Sequence, residues 1–173
     1  LGTSPDDRRR PGQSLRERCS ESPGSFCARR DGDNLSITYY FTHSITNGSS
    51  QFTIQYTVVG ALRVYSGGDQ LWWTAVPADH YGFSIGSSTI TVQMPNGFTP
   101  REGVDPVETY GAPADVNVQG TTITAKSRGQ LGGEDYFEIR VQYPHDPAAR
   151  VPAWQGTFDE ERIYEETTKP LID

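Results

Sequence analysis

The stretch Tyr56-Thr-Val-Val-Gly-Ala-Leu-Arg-Val-Tyr-Ser-Gly-Gly-Asp-Gln-Leu-Trp-Trp73 decides the fold class. It reads as two apolar β segments, hinged at Gly60 and closed by a turn at Ser66-Gly67-Gly68-Asp69, with two consecutive tryptophans beyond the turn. Neighbouring residues of a strand point to opposite faces, so Trp72 and Trp73 divide between a core side and an outer side.

On both sides of this stretch the period stays at two. Leu35, Ile37, Tyr39 and Phe41 alternate with Ser36, Thr38, Tyr40 and Thr42, and Phe52, Ile54, Tyr56 and Val58 alternate with Thr53, Gln55 and Thr57. With a turn at Asn47-Gly48 between them, these two segments are expected to form a hairpin. Ile90, Val92 and Met94 mark a strand that Pro95 ends. Residues 96–114, with three Pro and three Gly, read as a long loop. Val116 and Val118, then Gln119-Gly120, then Ile123 and Ala125 read as a short hairpin. Phe137, Ile139, Val141 and Tyr143, alternating with Glu138, Arg140 and Gln142, give the clearest strand, which Pro144 stops. Short strands at this spacing without a helical period predict an all-β chain: an antiparallel, immunoglobulin-like β-sandwich over residues 35–157. Residues 1–34, rich in Pro, Gly, Ser and Arg, read as an irregular arm. Residues 158–173 read as an acidic connector, a short helix or linker whose first turn Asp159 caps.

Composition supports one domain with appended segments. Of 173 residues 34% are hydrophobic, which is low, but 11% are aromatic, enough for a compact sandwich core. The net charge of −7 is unevenly spread. Residues 1–33 carry seven Arg against six acids, and from Asn34 onward eight bases face sixteen acids. So acidic a β region repels phosphate backbones, and nucleic acid is not an expected partner. The cluster Arg8-Arg9-Arg10 is diluted by Asp6 and Asp7 and reads as part of a solvated arm. No stretch approaches the roughly 18 apolar residues of a membrane span.

Cys19 and Cys27 flank Ser-Glu-Ser-Pro-Gly-Ser-Phe, and a turn at Pro23-Gly24 can bring the sulfurs together. A disulfide is the first reading and free thiols the second. Zinc would leave half its tetrahedron unfilled. A bridge would point to an oxidising compartment.

Motifs for chemistry are sparse. Glu134-Asp135, Glu160-Glu161 and Glu165-Glu166 are adjacent acids, not two carboxylates facing each other across a cleft. His43, His80 and His145 are scattered, with Asp79-His80-Tyr81 the one local cluster. Asp31-Gly-Asp33-Asn34 begins like a calcium loop, but Leu35 stands where an oxygen ligand is needed, so it reads as a turn before a strand. No nucleophile elbow, phosphate loop or dinucleotide fingerprint occurs. No catalytic residue, cofactor or metal is assigned, and the chain is not expected to be an enzyme. Asn34-Leu-Ser36 and Asn47-Gly-Ser49 form glycosylation triplets that a bacterial origin would leave bare.

Gly60-Ala-Leu-Arg-Val-Tyr65, Gly68-Asp-Gln-Leu-Trp-Trp73, Phe137-Glu-Ile-Arg-Val-Gln-Tyr-Pro144 and Pro152-Ala-Trp-Gln155 resemble a bacterial family of predicted membrane proteins (domain of unknown function 2207). The similarity runs from about Leu35 to Asp173. It implies an extracytoplasmic β domain followed by transmembrane helices, with the acidic stretch as the connector to the membrane and the anchor outside this chain. The family's domain opens with further strands, including a Tyr-Arg-Asp-Ile-like segment that this chain lacks. The family has no assigned catalytic residues.

The expected role is therefore a non-catalytic structural or protein-interaction domain of the cell envelope, joined to other envelope proteins or to itself through edge strands. Tyr65, Asp69, Trp72 and Trp73 form the candidate binding surface. The alternative is a carbohydrate-binding module that stacks polysaccharide on Trp72 or Trp73. Trp154 is expected to dock the exit segment back onto the sandwich.

Overall fold

The computed structural model describes residues 19–155 apart from 33, 66, 81 and 102–105. The Arg8–Arg10 cluster, Ser66, the Asp159 cap and the acidic connector lie outside the described residues. Two units divide between Gln55 and Tyr56.

The first unit holds an antiparallel hairpin of β1 (Phe26–Asp31) and β2 (Asn34–Tyr39), in register from Phe26 opposite Tyr39 to Asp31 opposite Asn34. Two differences from the sequence reading stand out. Residues 26–31, irregular by their sequence pattern, form a strand. The segment 52–58, read as the partner of Leu35–Phe41, forms no strand at all. The cause is loop closure. A neighbour reached through a short connection at Gly32, which adopts φ 58, costs far less chain entropy than one reached across the whole of residues 40–51. Asn47 does take the left-handed conformation expected of an Asn-Gly turn, with φ 52. Phe52 instead joins Tyr39 and Phe41 in an edge-to-face trio with centroids 4.9–5.9 Å apart. Cys19 and Cys27 are disulfide-bonded, which fixes the entry to β1.

The second unit is the sandwich. Its first sheet has the order β3-β4-β9-β6, with β3 (Leu62–Tyr65), β4 (Gly68–Val76), β6 (Val107–Gly111) and β9 (Phe137–Tyr143). Its second sheet has the order β5-β8-β7, with β5 (Thr89–Gln93), β7 (Ala114–Gln119) and β8 (Thr122–Ser127). All pairings are antiparallel. Met94, Ile123 and Ala125 from one layer meet Phe137, Ile139 and Val141 from the other, with Leu131, in a single buried cluster. The β3–β4, β5, β7–β8 and β9 expectations are met. Strand β6 lies inside the segment read as loop, because its alternation is too short to stand out between Pro106 and Pro113.

Among the described residues, seven strands layered four against three match an immunoglobulin layout, but the connectivity differs. In an immunoglobulin constant domain the fifth strand lies between the second and fourth, and the seventh flanks the sixth. Here those two have exchanged places: the last strand, β9, lies between β4 and β6, and β7 flanks β8.

Candidate functional site

The β3–β4 hairpin places the four candidate residues. Gly60, at φ 73, precedes it. At Gly68, φ is 150 and a Cβ would come 2.8 Å from the Tyr143 carbonyl, so glycine is required for β4 to leave the turn against β9. One residue later Asp69 is fully buried. Its Oδ1 accepts the Tyr65 backbone N–H at 3.2 Å and lies 2.9 Å from His145 Nδ1, and its Oδ2 accepts the Asp146 N–H at 2.9 Å. Asp69 thus ties the turn to the chain leaving β9. Tyr65 is buried beside it. Tyr143, directly opposite Asp69, has its phenol pKa pushed up to about 12 by burial and then by the charges of Asp69 and Asp146.

The two tryptophans separate as the strand period requires. Trp73 is half-buried, packs against the sandwich core opposite Ile139, and has Tyr56 at 6.5 Å. Trp72 lies on the outer face and is also buried, with 9% exposure. Tyr110 of β6 stacks on it at 5.2 Å with the rings 10° from parallel, and the Arg63 guanidinium lies 4.8 Å from its centroid. Its indole N–H donates to Glu138 Oε1 at 2.5 Å, and the Thr74 hydroxyl donates to the other oxygen of the same carboxylate. Arg140 pairs with Glu108, which also accepts the Tyr110 hydroxyl at 2.5 Å. Burial first, and then that bond, holds the Tyr110 phenol well above its usual range.

The outer face is therefore a covered polar layer, not a platform. Glu138, Arg140 and Gln142 alternate with the core residues of β9 as solvent-facing residues would, yet all three are buried. The sequence carried no signal for this, because the residues that meet Glu138 and Arg140, Trp72 and Thr74 of β4 and Glu108 and Tyr110 of β6, come from strands distant in the chain. Gln70, in the same layer, is 1% exposed, and its amide has no hydrogen-bond partner among the described residues.

Two docking contacts close the β3 side. Trp154 donates its indole N–H to the Gly60 carbonyl at 2.7 Å, as expected of the exit segment. Gln155, fully buried, accepts the Val64 N–H and donates to the Val64 carbonyl, both at 2.8 Å, and so takes the place of a neighbouring strand. His80 lies on a loop with Nε2 at 3.1 Å from the Asp135 carbonyl. An apolar cavity of about 180 Å³ opens between Leu62, Leu71, Val92, Met94 and Phe98. It is smaller than the roughly 300–1,000 Å³ of ligand pockets.

A family model described as the predicted membrane protein (DUF2207) N-terminal domain matches residues 6–143. The match takes in residues 6–34, which the sequence reading set apart as an arm, and ends ahead of Pro152–Gln155. No curated protein and no solved structure matches the chain.

Proposed function

The chain belongs to the predicted membrane protein (DUF2207) N-terminal domain family, and from that premise we propose that it is a non-catalytic, extracytoplasmic interaction domain of a membrane-anchored bacterial envelope protein. The observation that carries the interaction role is the edge of the second sheet at β7, which has no strand neighbour on its outer side among the described residues. Val116 and Val118 of β7 face the same side as the fully buried Ala125 and Ile123, yet are 41% and 45% exposed. A strand left in this state is a pairing template. The Cys19–Cys27 bridge supports the extracytoplasmic side, since such bonds persist in oxidising compartments. The sugar-binding alternative gains no support, because Trp72 is buried under Tyr110 and Arg63 and Trp73 packs into the core.

The test is site-specific photo-crosslinking in membranes from cells expressing the membrane-anchored protein. A photoreactive residue at Val118 is expected to trap protein adducts, and one at the exposed loop residue Ala78 is not. Equal yields at both positions would sink the reading. Labelling of a surface cysteine by a membrane-impermeant maleimide in intact cells reports the side of the membrane, and protection from it would overturn the extracytoplasmic assignment.

A further inference from the structure

The hydrogen-bond phase of the second sheet shows which backbone groups of β7 are open. Arg128 N–H donates to the Pro113 carbonyl, and Ser127 N–H to the Ser88 carbonyl. In an antiparallel ladder bonded and non-bonded pairs alternate, so Asp115, Asn117 and Gln119 bond to β8. Ala114, Val116 and Val118 then direct their N–H and C=O groups away from the sheet.

Within the strand itself, the residues that usually blunt such an edge are missing. The six residues Ala114–Gln119 contain no Lys, Pro or Gly, and the lone charge, Asp115, is paired with Arg128 at 2.8 Å. The same six residues are also complementary to themselves. Running antiparallel about a two-fold axis at Asn117, Val116 of one copy stands opposite Val118 of the other, twice. Asn117 meets its own counterpart. Asp115 meets Gln119, a carboxylate acceptor facing an amide donor, and no like charges are opposed. The valines that overhang the core on each copy would then cover one another, and Val116 and Val118 would exchange four backbone hydrogen bonds.

We infer that β7 pairs with β7 of a second copy of this chain, joining the two three-stranded sheets into one six-stranded sheet. The inference rests on the interaction reading above and names its partner. Self-association of this kind is isologous, so it closes at two copies.

The test uses the full 173-residue chain. Light scattering coupled to size exclusion is expected to show a dimer in the micromolar range. Val118→Lys places a charge on the edge, at a side chain already 45% exposed, and is expected to weaken dimerisation at least tenfold, about 1.4 kcal/mol, with circular dichroism unchanged. Asn117→Cys tests the register without disturbing the edge. A non-bonded antiparallel pair has its Cα atoms roughly 4.5 Å apart, within disulfide range, so mild oxidation is expected to give a covalent dimer. A chain that stays monomeric at high micromolar concentration, with no Asn117→Cys cross-link, overturns the inference. If Val118 in membranes then traps only other proteins, the interaction reading stands while self-pairing falls. If it traps nothing, both fall.

Discussion

Strands β3 and β7 both lie at the edge of a sheet, and their free backbone groups meet different fates. On β3 the N–H and C=O of Val64 are both taken by the side chain of Gln155, 91 residues away in sequence. Around this edge the chain adds Trp154 on Gly60 and the buried Asp69 on Tyr65, His145 and Asp146. On β7 nothing comparable occurs among the described residues, and two valines overhang the core. A closed edge uses buried polar groups that must all be satisfied. An open edge keeps its groups in water, where they cost little until a partner arrives. The difference separates edge positions that hold the fold from edge positions left exposed among the described residues.

Four substitutions probe that division, beginning with the largest expected effect. Gln155→Ala leaves two backbone groups of β3 buried without partners and is expected to lower unfolding free energy by about 3 kcal/mol, read from urea titration. A loss below ~1 kcal/mol would mean that water replaces the amide and that the edge is not closed. Alkaline unfolding gives a second test beside Asp69. Tyr143 has a folded pKa of about 12 against 10.0 for the free phenol, so the unfolded chain loses its proton first. Stability is therefore full below about pH 10 and falls as pH rises from 10 towards 12. Tyr143→Phe is expected to flatten that fall, and an unchanged slope would assign it to other groups.

Gln70→Met removes an unsatisfied buried amide at nearly constant volume, and is expected to be stabilising by about 1 kcal/mol in thermal melts. A clear loss would show that the amide is satisfied in solution. Smallest of all, Val118→Lys on the open edge is expected to change monomer stability by no more than about 0.5 kcal/mol. A larger loss would place Val118 in the core and dissolve the contrast between the two edges.

What was legible in the sequence follows how far each signal reaches along the chain. The β3–β4 and β7–β8 hairpins were readable because turn residues and alternation lie within a few positions of one another. Strand β9 was readable for the same reason, but only its apolar half was read correctly. Glu138, Arg140 and Gln142 look like a wetted face until β4 and β6 flank β9 and bring Trp72, Thr74, Glu108 and Tyr110 to Glu138 and Arg140. The pairing of Leu35–Tyr39 was misassigned because 52–58 carries a fair strand pattern, and alternation does not say which of two neighbours is closer. Strand β1 was missed beside its cysteine.

The sequence by itself determined that this chain is all-β, where its clearest strands begin and stop, that it resembles a family of predicted membrane proteins, and that Cys19 and Cys27 can be bridged. Each of these depends on local spacing or local composition. Only the tertiary structure decided that β9 lies between β4 and β6, that Trp72 sits in a covered polar layer, that Gln155 stands in for a strand, and that β7 has no outer neighbour among the described residues. These depend on contacts between residues far apart in the chain. The free energy of a polar side chain turns on the partners it meets, and those partners are set by the fold and not by its neighbours in sequence.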